Sequence, residues 1–212
     1  MKKVVLGILA GLLLCEALSA QPIFWSENRN FGIRAGYRRA NLNVGTFDVG
    51  YIDATAYFNP QLGWEFSTKI EYGKDYFSFS PVGLIGLPFW IYSTTHHGSS
   101  TSNLIGAIFS IASAKAPIHI WDWFEITPSW DFLKFTKVYD TKLKVNAEVG
   151  LELKFYPFCE TYSMTTFFIS PFCFYNFGYK KNAFEYSYLG VKKEKASIFR
   201  GYTFGATIGM YF

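Results

Sequence analysis

Residues 202–212 alternate without a break: Tyr202, Phe204, Ala206, Ile208, Met210 and Phe212 fall on one face of an extended strand, and Thr203, Gly205, Thr207, Gly209 and Tyr211 on the other. Residues 143–155 repeat the pattern with a charged reverse side, where Leu143, Val145, Ala147, Val149, Leu151, Leu153 and Phe155 oppose Lys144, Asn146, Glu148, Gly150, Glu152 and Lys154. Residues 62–72 do the same, with Trp64, Phe66, Ile70 and Tyr72 against Glu65, Lys69 and Glu71, and residues 31–39 set Phe31, Ile33, Ala35 and Tyr37 against Arg34 and Arg38. A second strand is expected over 47–58, although Asp48 and Asp53 lie on opposite faces and leave its inward side open. A fourth starts at Tyr76 and is blurred by Pro81, Gly83, Gly86 and Pro88. Residues 121–136 read as a strand bent at Pro128, and 165–180 as an aromatic strand carrying Pro171, which suits a bulge or a poorly paired position. Turns fall at 40–46, 59–61, 73–75 and 157–163, and 181–195 is a polar loop.

Counted from both ends, this is an all-β, antiparallel transmembrane β-barrel of eight strands. Residues 87–117 are left over. Ser102 caps a helix over 103–116, with Leu104, Ala107, Ile108, Ile111 and Ala112 at helical spacing and Pro117 beyond it. That is a short helical insertion at the periplasmic end; if both its arms are strands instead, the barrel has ten.

The front of the chain changes where such a barrel would go. MKK, then an apolar run of about eleven residues, then Ala17-Leu18-Ser19-Ala20, is the order of a secretory signal peptide and is too short for a spanning helix, which needs ~20 residues. Residues 1–20 are therefore expected to be removed, leaving 21–212 as one barrel domain. Cys15 follows Leu14, which speaks against a lipoprotein signal. Aromatics make up 21% of the chain and charged residues 17%, a balance suited to an apolar outer band with aromatic girdles, for which Tyr37, Trp64, Tyr72, Trp90, Trp121, Trp123, Trp130, Tyr202 and Phe212 are candidates. The net charge of +4 is small and scattered, and argues for no nucleic acid. Cys159 in a turn and Cys173 up the next strand would stand roughly 30 Å apart, too far for a disulfide.

Candidate chemistry lies in two places. The charged reverse faces (Arg34, Arg38, Glu65, Lys69, Glu71, Lys144, Glu148, Glu152 and Lys154) are expected to form a pairing network in the lumen, because eight strands leave an interior that side chains fill. A narrow channel for small solutes is the alternative. The other place is Thr94–Asn103, where His97 and Ser99 with Glu125 or Asp122 would make an acyl hydrolase. Through His97, Ser99 and Asn103 this stretch is distantly similar to the His-x-Ser-Asn motif of outer-membrane lipid A deacylases. It departs from the motif because Ser100 follows Ser99 and the asparagine comes four residues after the serine. A polar loop explains it with fewer assumptions. His96 and His97 are adjacent and point to opposite faces of a strand, so no metal is called for, and no residue set calls for a cofactor. His119 reads as a girdle or packing residue.

The export signal, the alternating strands with charged backs and the last strand, ending on Phe212, together resemble small bacterial outer-membrane β-barrel proteins of the OmpA/OmpX type. In that resemblance Tyr202, Phe204, Ile208, Met210 and Phe212 would form the assembly signal read by the barrel-assembly machinery. The chain would lie in the Gram-negative outer membrane, in contact with its lipid and lipopolysaccharide. It would serve as a non-enzymatic structural, adhesive or interaction protein, meeting any protein partner through its loops or residues 87–117.

Overall fold

The computed structural model describes residues 31–59, 64–85, 111–121, 123–158, 166–184 and 193–212. The signal segment 1–20, His96, His97, Ser99, Ser102 and Cys159 lie outside the described residues. Among the described residues there are ten strands: β1 (Phe31–Leu42), β2 (Gly45–Asn59), β3 (Trp64–Gly73), β4 (Tyr76–Ser80), β5 (Ser113–Lys115), β6 (Ile118–Trp121), β7 (Phe124–Val138), β8 (Lys144–Phe155), β9 (Thr166–Phe184) and β10 (Lys193–Tyr211). Every pairing is antiparallel, each long strand pairs with its sequence neighbours, and β1 pairs with β10 to close the ring. Phe31 and Phe212 exchange two backbone hydrogen bonds at 3.1 and 2.9 Å, so both ends of the barrel wall meet at one end, here called the near end.

The ring has eight staves, because β4, β5 and β6 together make one. All three pair with β7, and β4 and β5 both pair with β3. Pro81 has no amide to continue the ladder, so β4 stops at Ser80, and the Pro81 carbonyl accepts instead from Ile85 N (3.0 Å) to form a single helical turn over 82–85. The chain returns to the same stave at Ser113. Ser80 stands opposite Lys69 of β3, and Lys115 opposite Glu65. The excursion thus leaves from within the wall, not from the periplasmic end as expected. Leu84 N donates to Thr68 Oγ1 (2.7 Å), and Thr68 sits on the outer face of β3, so the chain exits outwards. The expected helix over 103–116 is cut short: residues 111–112 are helical, but 113–115 are strand, because their alternation places Ser113 and Lys115 against β7.

Several boundaries differ from the sequence expectation, in each case because the antiparallel ladder continues as far as the turn allows. The turn after β1 is reduced to Asn43 and Val44, with Leu42 opposite Gly45. Trp121 belongs to β6, and β7 runs through Pro128; its register shifts at Asp131–Lys134 instead. Pro171 lies where the β8–β9 ladder lapses, between the pairs Glu152–Phe172 and Phe155–Ile169. Lys181–Phe184 and Lys193–Lys195, expected as loop, remain paired. The last hairpin therefore runs eight residues past Asn176–Gly201, where the ring ends, a projection of roughly 25 Å.

The side chains are arranged inside out. Outward positions carry exposed Ile33, Ile52, Ile70, Leu151, Phe167, Ile169, Phe204 and Ile208, while inward positions carry most of the buried charge. Such a surface needs an apolar surrounding, since only a closed strand array satisfies its backbone there.

Candidate functional site

Because successive side chains alternate across each strand, every second residue of eight staves meets at the axis. Among the described residues, six buried cations (Arg34, Arg38, Lys69, Lys115, Lys134 and Lys154) share the lumen with seven buried carboxylates (Asp53, Glu65, Glu71, Glu125, Asp131, Glu148 and Glu152). They sort into three groups along the axis.

Nearest the termini, Lys154 Nζ donates to Glu65 Oε1 (2.7 Å) and lies 2.8 Å from Glu125 Oε1. Tyr211 OH accepts from Lys154 (2.6 Å) and donates to Glu65 (2.8 Å). Glu125 also accepts from Thr127 (2.7 Å) and Tyr156 (2.9 Å), and His119 Nε2 stands 3.6 Å from it. In the middle group, Arg34 donates to Asp53 (2.5 and 2.7 Å) and to both oxygens of Glu152, while Lys115 (2.5 Å) and Tyr51 (3.0 Å) also donate to Asp53. In the far group, Glu148 accepts from Lys69 (2.7 Å), Lys134 (2.6 Å) and Arg38 (3.1 Å). Arg38 also reaches Glu71, Lys69 lies 3.1 Å from Asp131, and Tyr76 donates to Glu71 at 3.0 Å. Aromatic faces enclose the cations: Arg38 lies 5.8 Å from the Phe172 ring and 5.7 Å from Phe174, and Arg34 5.5 Å from Tyr51.

Both mouths are closed. At the far end Ala40, Leu42, Phe47, Val49, Tyr76, Val138 and Phe199 pack into an apolar plug. At the near end Tyr156, Phe168 and Tyr211 do the same, with Phe168 and Tyr211 stacked at 4.8 Å. Phe199 reaches inwards from a residue with φ +66°, opposite Gly178 at +68°, so the two left-handed residues interrupt the ladder at the rim without shifting its register. The glycines on the inner face of β10 leave the space that the long side chains occupy. A Cβ on Gly209 would meet Arg34 Cβ at 2.7 Å and run into the Phe168 ring.

Of the residues named from the sequence as the lumen network, Arg34, Arg38, Glu65, Lys69, Glu71, Glu148, Glu152 and Lys154 lie in these three groups. Lys144 does not: it is half-buried, two inward positions beyond Glu148 towards the far end. Asp53, Lys115, Asp131 and Lys134 join the groups without having been anticipated. Asp53 was the ambiguous member of its pair, and Asp48 proves to be the outward one, accepting from Tyr37 OH. Lys115 was assigned to a helix. Asp131 and Lys134 point the same way only because of the intervening bulge; the run Glu125, Thr127, Ser129, Asp131 carried a signal that could have found the first of them. Glu125, a candidate member of an acyl-hydrolase site, is enclosed in the lumen and bonded to Lys154, Thr127 and Tyr156. Cys173 is a free thiol on the outer face of β9. Tyr202, Phe204, Ile208 and Phe212 are exposed on the outer face of β10, with Met210 between them half-buried. Among the described residues, no three His, Cys, Asp or Glu side chains are grouped so as to hold a metal ion.

No protein-family model matches the chain, and no curated protein matches it in sequence. Among solved structures, the backbone of the outer membrane protein Ail of Yersinia pestis in a phospholipid bilayer nanodisc is similar over 87% of this chain and 99% of that one, at 10% identity and a TM-score of 0.41. That likeness is too slight to carry an argument, and the barrel stands on its own ladder of pairs.

Proposed function

We propose that the chain is a non-enzymatic protein of the bacterial outer membrane, a small barrel with a filled lumen and a structural, adhesive or interaction role. The observation that carries this is the sealed interior: thirteen ionisable side chains in mutually compensating groups, enclosed between an apolar plug and an aromatic one. Charges so placed give up hydration that only mutual pairing replaces, so they specify a closed interior and not a water-filled path. The outward apolar belt supports a lipid surrounding, and the export signal read at residues 1–20 supports delivery to that membrane. The outward face of β10, ending in Phe212 beside Phe31, suits a strand that the barrel-assembly machinery recognises before closure. Contacts with partners fall to the outer loops, the β9–β10 projection or residues 87–117, and lipopolysaccharide is the lipid expected around the far end.

Against the alternative of a small-solute channel stand the two plugs, which fill both ends of the lumen among the described residues. Of the two carboxylates considered for an acyl hydrolase, Glu125 is engaged inside the lumen, and Asp122 lies outside the described residues. Planar-bilayer recordings test the proposal: the purified barrel should insert and remain electrically silent. Regular conductance steps from the unmodified protein, scaling with the amount inserted, would refute the filled-lumen reading.

A further inference from the structure

The charges outside the lumen are divided between the two ends of the barrel very unequally. Among the described residues, the far-end segments 39–48, 74–75, 137–143, 180–184 and 193–200 contain nine Lys or Arg against four Asp or Glu. The described residues of the near-end segments 57–59, 116–121, 123–124, 156–158 and 166–168 contain no Lys, Arg, Asp or Glu. Lumenal pairing explains none of this, because none of these residues belongs to the three groups of the lumen.

Three of the far-end cations have a particular orientation. Arg39, Lys137 and Arg200 occupy outward positions, each two residues beyond an outward aromatic of the belt: Tyr37, Phe135 and Tyr202. They point sideways from the wall just above the aromatic girdle, and all three are exposed. Arg200 donates to Tyr175 OH and lies 5.8 Å from the Tyr175 ring, which holds its guanidinium against the outer wall. Arg39 is only loosely tied to Asp48, at 3.9 Å. Arg39 and Arg200 stand on the neighbouring strands β1 and β10, where Arg39 is opposite Phe204, four residues from Arg200, and Lys137 stands apart on β7; all three lie on the outer wall. A soluble polyanion would be met by a contiguous patch on the end of the barrel. Cations that project sideways from the wall beside the aromatic belt fit anions held in the plane around it.

We infer that Arg39, Lys137 and Arg200 bind the phosphate-bearing headgroups of anionic lipids in the leaflet surrounding the far end. This rests on the membrane-barrel reading and goes beyond it, in naming the lipid chemistry and the residues. Each cation close to an anionic lipid surface is worth about a fivefold preference.

The test uses the mature chain folded into nanodiscs of phosphatidylcholine alone or of phosphatidylcholine with phosphatidylglycerol, with mass spectrometry of the lipids that stay on the barrel after detergent exchange. The unmodified protein should retain the anionic lipid at least fivefold over its share in the disc, and raised salt should erase the preference. The triple variant Arg39→Gln, Lys137→Gln, Arg200→Gln should fall below twofold while keeping the silent, folded barrel, since none of the three is part of the lumen. A variant at the exposed turn lysines, Lys74→Gln with Lys142→Gln, should keep at least half of the preference. No enrichment, or enrichment unchanged in the triple variant, overturns the inference. Inorganic polyphosphate or phosphate that binds the protein in neutral discs as well as it competes in anionic ones would reassign the cations to a free anion. Failure to enter either disc would overturn the membrane reading itself, a result distinct from insertion without lipid preference.

Discussion

Glu148 accepts three charged hydrogen bonds, from Lys69, Lys134 and Arg38, inside a far group whose other carboxylates are Glu71 and Asp131. The group balances as three cations against three anions. Glu148→Ala leaves three buried cations facing two carboxylates. Breaking a buried pair by removing one partner costs about 3–5 kcal/mol, because the remaining charge is uncompensated. That is a large part of the ~5–15 kcal/mol typical of a folded domain. The same reasoning predicts rescue: Glu148→Ala combined with Lys134→Met returns the group to two against two, and the double variant should regain about 1–3 kcal/mol over the sum of the single effects. Equilibrium unfolding by urea in lipid vesicles, followed by tryptophan fluorescence, measures both quantities. Val149→Ala is the neighbouring control, since its methyls face outwards and should cost about 1 kcal/mol or less. The buried group should also respond little to added salt, whereas a half-exposed pair such as Arg39 and Asp48 should weaken. If Glu148→Ala unfolds within 1 kcal/mol of the control, or if the double variant is merely additive, the lumen is hydrated and the charge-balance argument is wrong.

Three further outcomes follow from the same geometry. Phe199 fills the far plug from a left-handed residue, so Phe199→Ala should cost about 3 kcal/mol by unfolding, while Phe199→Gly should be about 1 kcal/mol milder than alanine because glycine takes that backbone without strain; the usual strand order, with glycine worse, would show that residue 199 is not left-handed. Gly209→Ala places a methyl against Arg34 and the Phe168 ring and should lower stability by about 1–3 kcal/mol; a neutral result would mean the inner wall has room to spare. Cys173, exposed on the outer face of β9, should react in vesicles with a membrane-soluble maleimide and resist a sulfonated one; equal rates would place that face in water.

The alternation of residues 143–155 and 202–212 was enough to establish strands, their inward and outward sets and the number of staves, because a period of two is a local property that any flat ladder preserves. Arg34, Arg38, Glu65, Lys69, Glu71, Glu148, Glu152 and Lys154 could be placed together for the same reason: once a wall closes on itself, all inward positions share one axis. Pairing partners were not legible in that way. That Lys154 joins Glu65 across eighty-nine positions, or that Arg34 joins Glu152 across one hundred and eighteen, depends on stagger and on which staves face each other over the lumen. Asp131 and Lys134 escaped because a bulge changes the parity of a strand midway, and Lys115 because three residues are too few to show a period. The composite stave was the largest departure. Apolar residues on either side of 81–112 carry no mark of whether they end a strand or interrupt one; only the neighbours β3 and β7, which hold both halves in line, decide it.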